Sequence, residues 1–289
     1  MSMPTDIPVI DLMLQIPSDD AGKWYNFLKP LLLDNESREL MKMPAGYMFK
    51  DIPKTGAADD YTRYTLAEMD KHGIDKAMVG VDFEYQEGLS AIRDHPQRFI
   101  GSYEINPNLG MEGVRDLRRA VGEFGVKAAT VFPAGCVPQV PINDKKMYPF
   151  YAACIELDIP IFVCAGVPGP RVPMDCQKVE LIDEVCWYFP ELKFVTRHGC
   201  EPWTELAVKL MLKYPNLYYS TSAFAPKYYP KAIIDYANTR GADKILYAGY
   251  FPMGLSLERI FREMSEVPFR DEVWPKFLRK NALRLLGLS

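Results

Sequence analysis

Eight short apolar runs alternate with segments of helical periodicity along most of the chain. Continuous apolar runs bounded by turn residues are typical of strands buried in a parallel sheet. Strands separated by helices pair in parallel, and eight such units predict a closed (β/α)₈ TIM barrel. The predicted strands cover residues 7–14, 76–81, 99–105, 126–132, 159–164, 192–195, 217–220 and 244–250.

The segments between these runs are predicted helices with one apolar face. In residues 111–124, for example, apolar side chains recur at helical spacing at Val114, Leu117 and Val121. The 289 residues match the length of one barrel, and no change in composition marks a boundary, so residues 1–289 are predicted to form a single domain. The predicted helices cover residues 36–42, 58–72, 86–95, 111–124, 147–157, 179–188, 203–213, 228–238, 256–266 and 273–286.

Several classes of protein are excluded or disfavoured by the sequence. A net charge of −4 and a pI near 5.6 give no basic surface for nucleic acid. No apolar run reaches 18 residues, and the first residues lack a basic region followed by an apolar one. We therefore expect no membrane span, no signal peptide and a cytoplasmic protein. The 6 cysteines lack CxxC spacing, which argues against a disulfide framework and a closed zinc site. Because no glycine-rich phosphate-binding motif follows a strand, a nucleotide-binding doubly wound sheet is the weaker alternative.

A long irregular segment, residues 17–57, separates the first strand from the second helix and is rich in aromatic residues. Loops of this length within a compact domain are usually functional. We therefore predict that residues 17–57, hereafter the cap segment, cover the barrel mouth or contact another subunit.

The stretch FPELKFVTRHGCEPW contains the strongest functional candidate. Arg197 and His198 directly follow the predicted strand 192–195, and the carboxyl ends of barrel strands are where such folds carry their chemistry. His198 is predicted to act as a general acid or base. The alternative is a structural histidine that hydrogen-bonds locally.

Polar or reactive side chains also stand at the ends of other predicted strands. Glu104 is a catalytic candidate or a loop-anchoring ion-pair partner, and Cys164 is a nucleophile beside His198 or a buried inert thiol. Arg197 and Arg171 are candidates for holding a substrate carboxylate, because guanidinium matches it bidentately. Ser222 is predicted to bind polar substrate atoms, with turn capping as its alternative.

Seven stretches spread from the first strand to the last helix carry a family resemblance. They are VIDLMLQ, RFIGSYEINPN, LDIPIFVCAG, FPELKFVTRHG, KYPNLYYSTS, ADKILYAGYFP and FLRKNALRLLGL. These stretches resemble the amidohydrolase-related (amidohydrolase 2) family of metal-dependent barrels, which includes aminocarboxymuconate-semialdehyde and γ-resorcylate-type decarboxylases. The resemblance implies a TIM barrel, decarboxylation or hydrolysis as the chemistry, and a homodimer.

The same stretches depart from the family at its metal ligands. The family's first strand carries Asp-x-His-x-His, whereas this chain has Met13 and Gln15 in place of the two histidines after Asp11. The ligand histidine of the fifth strand is replaced by Cys164, and the aspartate of the eighth by Tyr250. A catalytic divalent ion needs three or four converging N or O ligands. We therefore predict a divergent member with no metal and no cofactor.

Three functions follow from these residues. The first is a metal-independent decarboxylase or hydrolase acting on a small carboxylated, cyclic or aromatic compound. Tyr250 would donate to a developing oxyanion or plug the former metal cavity. Asp11 and Gln15 are candidates for binding the substrate. The alternatives for Asp11 are an ion-pair partner and a structural hydrogen bond to a neighbouring loop. The second is a catalytically silent subunit paired with an active paralogue, and the third is a small-molecule binding protein. An enzyme should keep an open polar pocket, whereas a silent subunit should have Met13, Phe132 and Tyr250 packed into it.

Overall fold

The computed structural model describes residues 3–19, 21–39, 43–55, 58–84 and 86–289. Eight parallel strands form one sheet in which each strand pairs with the next along the chain. The strands are β1 (Val9–Asp11), β2 (Ile74–Val81), β3 (Phe99–Glu104), β4 (Ala128–Val131), β5 (Ile161–Cys164), β6 (Phe194–Arg197), β7 (Leu217–Ser220) and β8 (Ile245–Leu246).

Backbone hydrogen bonds join the first strand region to the last. The Leu12 N–H donates to the Tyr247 carbonyl at 3.3 Å, and the Gln15 N–H donates to the Phe251 carbonyl at 2.9 Å. A parallel bridge between Leu14 and Phe251 lies between these two contacts. The sheet is thus curled on itself, and the predicted TIM barrel and single domain are confirmed.

Helices follow the strands and pack their apolar faces against them. Helix α4 (Met111–Phe124), for example, buries Val114 and Leu117 and is capped by Gly125, whose φ of 68° is the left-handed conformation that favours glycine after a helix C-terminus. The α-helices are α1 (Asn35–Glu39), α2 (Tyr61–Lys71), α3 (Gln86–Asp94), α4 (Met111–Phe124), α5 (Tyr148–Glu156), α6 (Leu181–Tyr188), α7 (Thr204–Lys213), α8 (Lys231–Tyr236), α9 (Leu257–Met264) and α10 (Asn281–Leu286). π-Helical turns at Ala237–Gly241 and Lys276–Lys280 adjoin α8 and α10.

Several elements are shorter than predicted, such as the strand predicted for residues 7–14, and two of the differences have a local cause. The strand predicted for residues 244–250 is only two residues long, because beyond it Gly249 donates to the Asp11 side chain and Ala248 to the Thr221 hydroxyl instead of to a neighbouring backbone. The helix predicted from residue 228 begins at Lys231, after Pro230, since proline is tolerated only at the start of a helix.

The cap segment contains a 3₁₀ helix (Ala21–Leu28), helix α1 and a 3₁₀ turn (Gly46–Met48). The end of the predicted helix 36–42 lies outside the described residues. In the described part of the chain, no helix is long and apolar enough to cross a membrane.

Inside the barrel, buried apolar side chains from successive strands, including Ile10, Met78 and Ile100, form a packed core. This core closes the lower part of the barrel and leaves the carboxyl ends of the strands as the floor of an open mouth.

Candidate active site

A cavity of about 1360 Å³ lies at the carboxyl ends of the strands. Strand-end residues form part of its lining, and the cap segment forms another part. The polar or reactive side chains that the sequence predicted and that the structure brings to this lining are Gln15, Glu104, Cys164, Arg197, His198 and Tyr250.

Arg197, the last residue of β6, links several of these groups. Its Nη1 lies 3.3 Å from Glu104 Oε2, and its Nη2 lies 3.3 Å from Met13 Sδ. Glu104 Oε2 also accepts a hydrogen bond from the Thr130 hydroxyl at 2.5 Å. The buried Arg197 Nε has no acceptor in the described part of the chain, and the side chain is only 15% exposed. A permanent cation therefore stands at the floor of the cavity with one carboxylate beside it.

His198 is held by Ser222 in a fixed orientation. Its backbone N–H donates to Ser222 Oγ at 3.1 Å, and its Nδ1 lies 3.1 Å from the same oxygen. The residue has φ of 64°, an uncommon backbone conformation for a non-glycine residue. Burial and the neighbouring Arg197 charge hold the pKa of His198 well below 6.5. The imidazole is therefore neutral near pH 7, with Nε2 left for a ligand.

Of two tyrosines at the site, Tyr250 lies next to His198 and Tyr25 lies next to Tyr250. The Tyr250 ring meets His198 edge-on at 5.4 Å and stacks on Phe49 of the cap segment at 5.5 Å. Burial raises the pKa of Tyr250 to about 12, so its hydroxyl stays protonated. Tyr25, from the cap segment, donates a hydrogen bond to Tyr250 that lowers the pKa of Tyr250, and its hydroxyl oxygen lies 3.2 Å from Met43 Sδ. Tyr25 was not among the residues predicted for the site. In the sequence, only its place in an aromatic-rich segment indicated a functional role.

Cys164 lines the cavity but is a protonated thiol. Burial raises its pKa to about 12, although the nearby Arg197 charge lowers it. Among the hydrogen bonds of the described residues, none joins Cys164 to His198. We therefore assign no nucleophilic role to this thiol.

Asp11 lies beneath the cavity rather than in its lining. Its Oδ1 accepts hydrogen bonds from the backbone N–H groups of Gly249 (2.8 Å) and Met13 (2.9 Å). Burial raises the pKa of Asp11 to about 7, against the effect of the two backbone hydrogen bonds. The Tyr247 hydroxyl interacts with Asp11 and lowers its pKa. Among the described residues, neither this hydroxyl nor Asp11 Oδ2 has a closer hydrogen-bond partner, and both are buried. A Cβ at residue 249 would lie 2.6 Å from Oδ2, so this approach requires glycine.

The remaining predicted residues lie at different places. Gln15 Oε1 accepts from the Gly80 N–H at 3.3 Å within the cavity. Ser222 acts behind His198, and its contacts are with protein groups. Arg171 lies outside the cavity lining, where its guanidinium pairs with Asp34 and Glu36 of the cap segment at 3.1 and 2.8 Å.

A comparison with known protein families identifies the family of this chain. A family model described as Amidohydrolase (Amidohydro_2) matches residues 38–288. The chain belongs to this amidohydrolase family. A comparison with curated proteins finds no match.

Solved structures share the barrel over nearly the whole chain. A TIM-barrel protein from Bordetella bronchiseptica has 21% identity and a TM-score of 0.72, covering 96% of this chain and 98% of its own. The 5-carboxyvanillate decarboxylase of Novosphingobium aromaticivorans, complexed with manganese, has 16% identity and a TM-score of 0.69, covering 98% and 97%. A probable 2-pyrone-4,6-dicarboxylic acid hydrolase from Acinetobacter baumannii, with citric acid bound, has 12% identity and a TM-score of 0.66, covering 98% and 100%.

The residues of this amidohydrolase do not fit such a metal ion. At the positions where the family resemblance places metal ligands, this chain has a thioether (Met13), an amide (Gln15), a protonated thiol (Cys164) and a protonated phenol (Tyr250). Manganese prefers carboxylate and imidazole donors. The Arg197 guanidinium contacts Met13 and so lies among these groups, where its charge opposes a second cation. Within the described ranges, no cluster of three His, Cys, Asp or Glu side chains is placed to hold a metal.

Proposed function

We propose that this amidohydrolase hydrolyses a ring ester or ring amide of a small carboxylated compound without a catalytic metal ion. The observation that carries the proposal is the convergence of a neutral imidazole, a guanidinium and a protonated phenol in one open cavity. Each group has a role in hydrolysis that its protonation state allows.

His198 is the general base. The Ser220 hydroxyl donates to the Thr196 carbonyl at 3.0 Å, so its contact with Ser222 at 3.4 Å requires Ser222 to be the donor. Ser222 then accepts from His198 Nδ1–H, which leaves the lone pair of Nε2 facing a ligand. The low pKa of His198 keeps this nitrogen unprotonated near neutral pH.

Arg197 and Tyr250 bind the charges of substrate and transition state. The guanidinium holds the substrate carboxylate, and the Tyr250 hydroxyl donates to the oxygen that becomes negative. Water attacks the carbonyl carbon while Nε2 of His198 takes its proton. When the carbonyl re-forms, the bond to the ring oxygen or nitrogen breaks, and that atom receives the proton from His198. The products are a carboxylic acid and an alcohol or amine.

Decarboxylation, the other reaction that the family resemblance implies, needs a proton delivered to carbon as carbon dioxide leaves. The imidazole is neutral and the phenol has a pKa of about 12, so neither is a ready acid near pH 7. These protonation states support hydrolysis. The open cavity likewise supports a catalytic function over a silent subunit with a filled barrel mouth.

A screen of carboxylated lactones, cyclic esters and lactams against the purified full chain tests the proposal. We expect hydrolysis by the wild type and a loss of about 10²–10⁴-fold in kcat for His198→Ala, the range for removal of a general base. His95→Ala, at the far end of α3, is the matched control and should keep full activity. Turnover that His198→Ala leaves intact would refute the assignment of the base. Carboxylates that bind and never react would instead favour a binding protein.

A further inference from the structure

The cavity is larger than a single carboxylated ring requires. Pockets for drug-sized ligands occupy about 300–1,000 Å³, whereas this cavity is about 1360 Å³. Two of its charged residues, Arg197 and Glu104, stand at strand ends, on the floor. A one-ring substrate held there would leave much of the cavity unfilled.

The outer part of the cavity lining combines apolar side chains from the cap segment and from loops after the strands with charged ones such as Lys50 and Lys227. Four of its large apolar side chains are between 49% and 61% exposed. Exposed apolar side chains that cluster around a cavity mark a binding surface rather than a core. We define the outer wall by these four residues, which are Phe27, Met48, Val167 and Tyr228.

The outer wall is continuous with the floor of the same cavity. Phe27 meets Phe132, which follows β4, edge-on at 6.3 Å. Among the charged lining residues, Lys23 pairs with Glu87, which also lines the cavity, and Arg259 pairs with Glu263 at 2.9 Å. An apolar group entering along the outer wall therefore meets aromatic and thioether surface while its polar end reaches Arg197.

We propose that the outer wall binds an apolar arm, alkyl or aryl, attached to the carboxylated ring that Arg197 holds. The inference rests on the proposed function for its polar end, and it defines the substrate as amphipathic. The arm extends from the ring on the side opposite the carboxylate and lies against Phe27 and Met48.

Isothermal titration calorimetry with 4-alkylbenzoates tests the apolar arm without requiring turnover. Benzoate, 4-butylbenzoate and 4-octylbenzoate share one carboxylate and differ only in the arm. For the wild-type chain we expect affinity to rise by about threefold to fourfold per methylene that leaves water. Equal affinities for benzoate and 4-octylbenzoate would overturn the proposal.

Variants separate the two ends of the cavity. Phe27→Gln and Val167→Asn should each weaken 4-octylbenzoate several-fold while leaving benzoate unchanged. Leu33→Gln is the matched control, since Leu33 is a cap-segment side chain 77% exposed and outside the cavity lining. A chain-length increment that both outer-wall variants leave intact would also overturn the proposal.

Arg197→Met tests the proposed function independently. It should weaken all three benzoates by a similar factor and keep the chain-length increment. If it leaves all three affinities unchanged while the increment still responds to Phe27→Gln, the carboxylate anchor is wrong and the apolar subsite stands.

Discussion

Arg197 determines the protonation of its neighbours as well as the charge of the cavity floor. A buried cation disfavours a second positive charge close by, which is one reason the pKa of His198 is low. The Glu104 carboxylate, 3.3 Å from the guanidinium, compensates part of its charge. The Met13 thioether on the other side is uncharged and does not. In the proposed function, this one side chain would both bind an anion and keep the neighbouring base neutral.

Replacing Arg197 with methionine should change the pH dependence of catalysis. The base must be unprotonated, so kcat/KM of the wild type should be flat at neutral pH and fall on the acid side, below pH 6.5. Without the guanidinium, burial alone lowers the pKa of His198, and the acidic limb should move to higher pH. Loss of the carboxylate anchor should also raise KM by about tenfold or more.

The measurement is kcat/KM from pH 4.5 to 8.5 for wild type, Arg197→Met and Arg171→Met. Arg171 is engaged with Asp34 and Glu36 away from the cavity, so its variant should reproduce the wild-type profile. An acidic limb that stays in place in Arg197→Met would mean that a group other than His198 titrates.

The burial of Asp11 predicts that ionisation of its carboxyl group destabilises the folded state. Its folded-state pKa of about 7 lies above the ordinary value of 3.8, so the folded state favours the protonated form. This contribution to stability is fully present below pH 3.8 and is lost as the pH rises through about 7. Asp11→Asn removes the ionisation, and its amide oxygen can still accept from Gly249 and Met13.

Urea unfolding should therefore show Asp11→Asn to be more stable than wild type at pH 8 by about 2–4 kcal/mol. The difference should be smaller at pH 5, where less of the wild-type penalty applies. A variant less stable than wild type at pH 8 would show that the carboxylate charge is stabilised in the folded chain.

At the scale of elements, the sequence predicts most strands and helices because hydrophobic periodicity is a local property. The predicted helix 111–124 coincides with α4, and the predicted strand 217–220 coincides with β7. The predicted bounds of an element differ from the observed ones where contacts between distant residues determine its length. At β8, for example, Gly249 donates a hydrogen bond to Asp11, which is 238 residues away in sequence.

The same distinction applies to the candidate site. Glu104, Cys164 and Arg197 could be predicted for the cavity because a barrel brings strand ends together. The contact between Arg197 and Met13 joins residues 184 positions apart, and no local pattern announces it. Tyr25 was missed for the same reason, since only the folded cap segment brings it to Tyr250.

Tyr25→Phe tests whether the cap segment takes part in catalysis. The variant removes the hydrogen bond that positions the Tyr250 hydroxyl and keeps the ring. We expect kcat to fall by about tenfold, with a smaller change in KM, because the oxyanion donor is misplaced. Tyr47→Phe is the matched control, since the Tyr47 hydroxyl donates to the Gly169 carbonyl at 2.7 Å and lies outside the cavity lining. Equal loss in both variants would indicate a general effect of the cap segment on folding.

At the scale of the whole molecule, an amidohydrolase barrel is retained while its metal-ligand positions have changed chemistry. The fold does not depend on a metal at the mouth, because the packed core of Ile10, Met78 and Ile100 lies below it. The strand ends are held by protein contacts such as the Arg197–Glu104 ion pair. Folding and the proposed chemistry should therefore both be independent of divalent ions.

Elemental analysis and chelation test this independence on the full-length chain. We expect manganese, zinc, iron and copper far below one equivalent, and the same Tm before and after dialysis against EDTA. A ligand that binds only the folded state raises Tm by an amount that grows with its concentration relative to Kd, so added manganese should leave Tm unchanged while a bound carboxylate should raise it. One equivalent of metal, lost together with several degrees of Tm on chelation, would contradict the argument from the donor groups. Metal that disappears in His198→Ala would then identify His198 as a ligand rather than as the base.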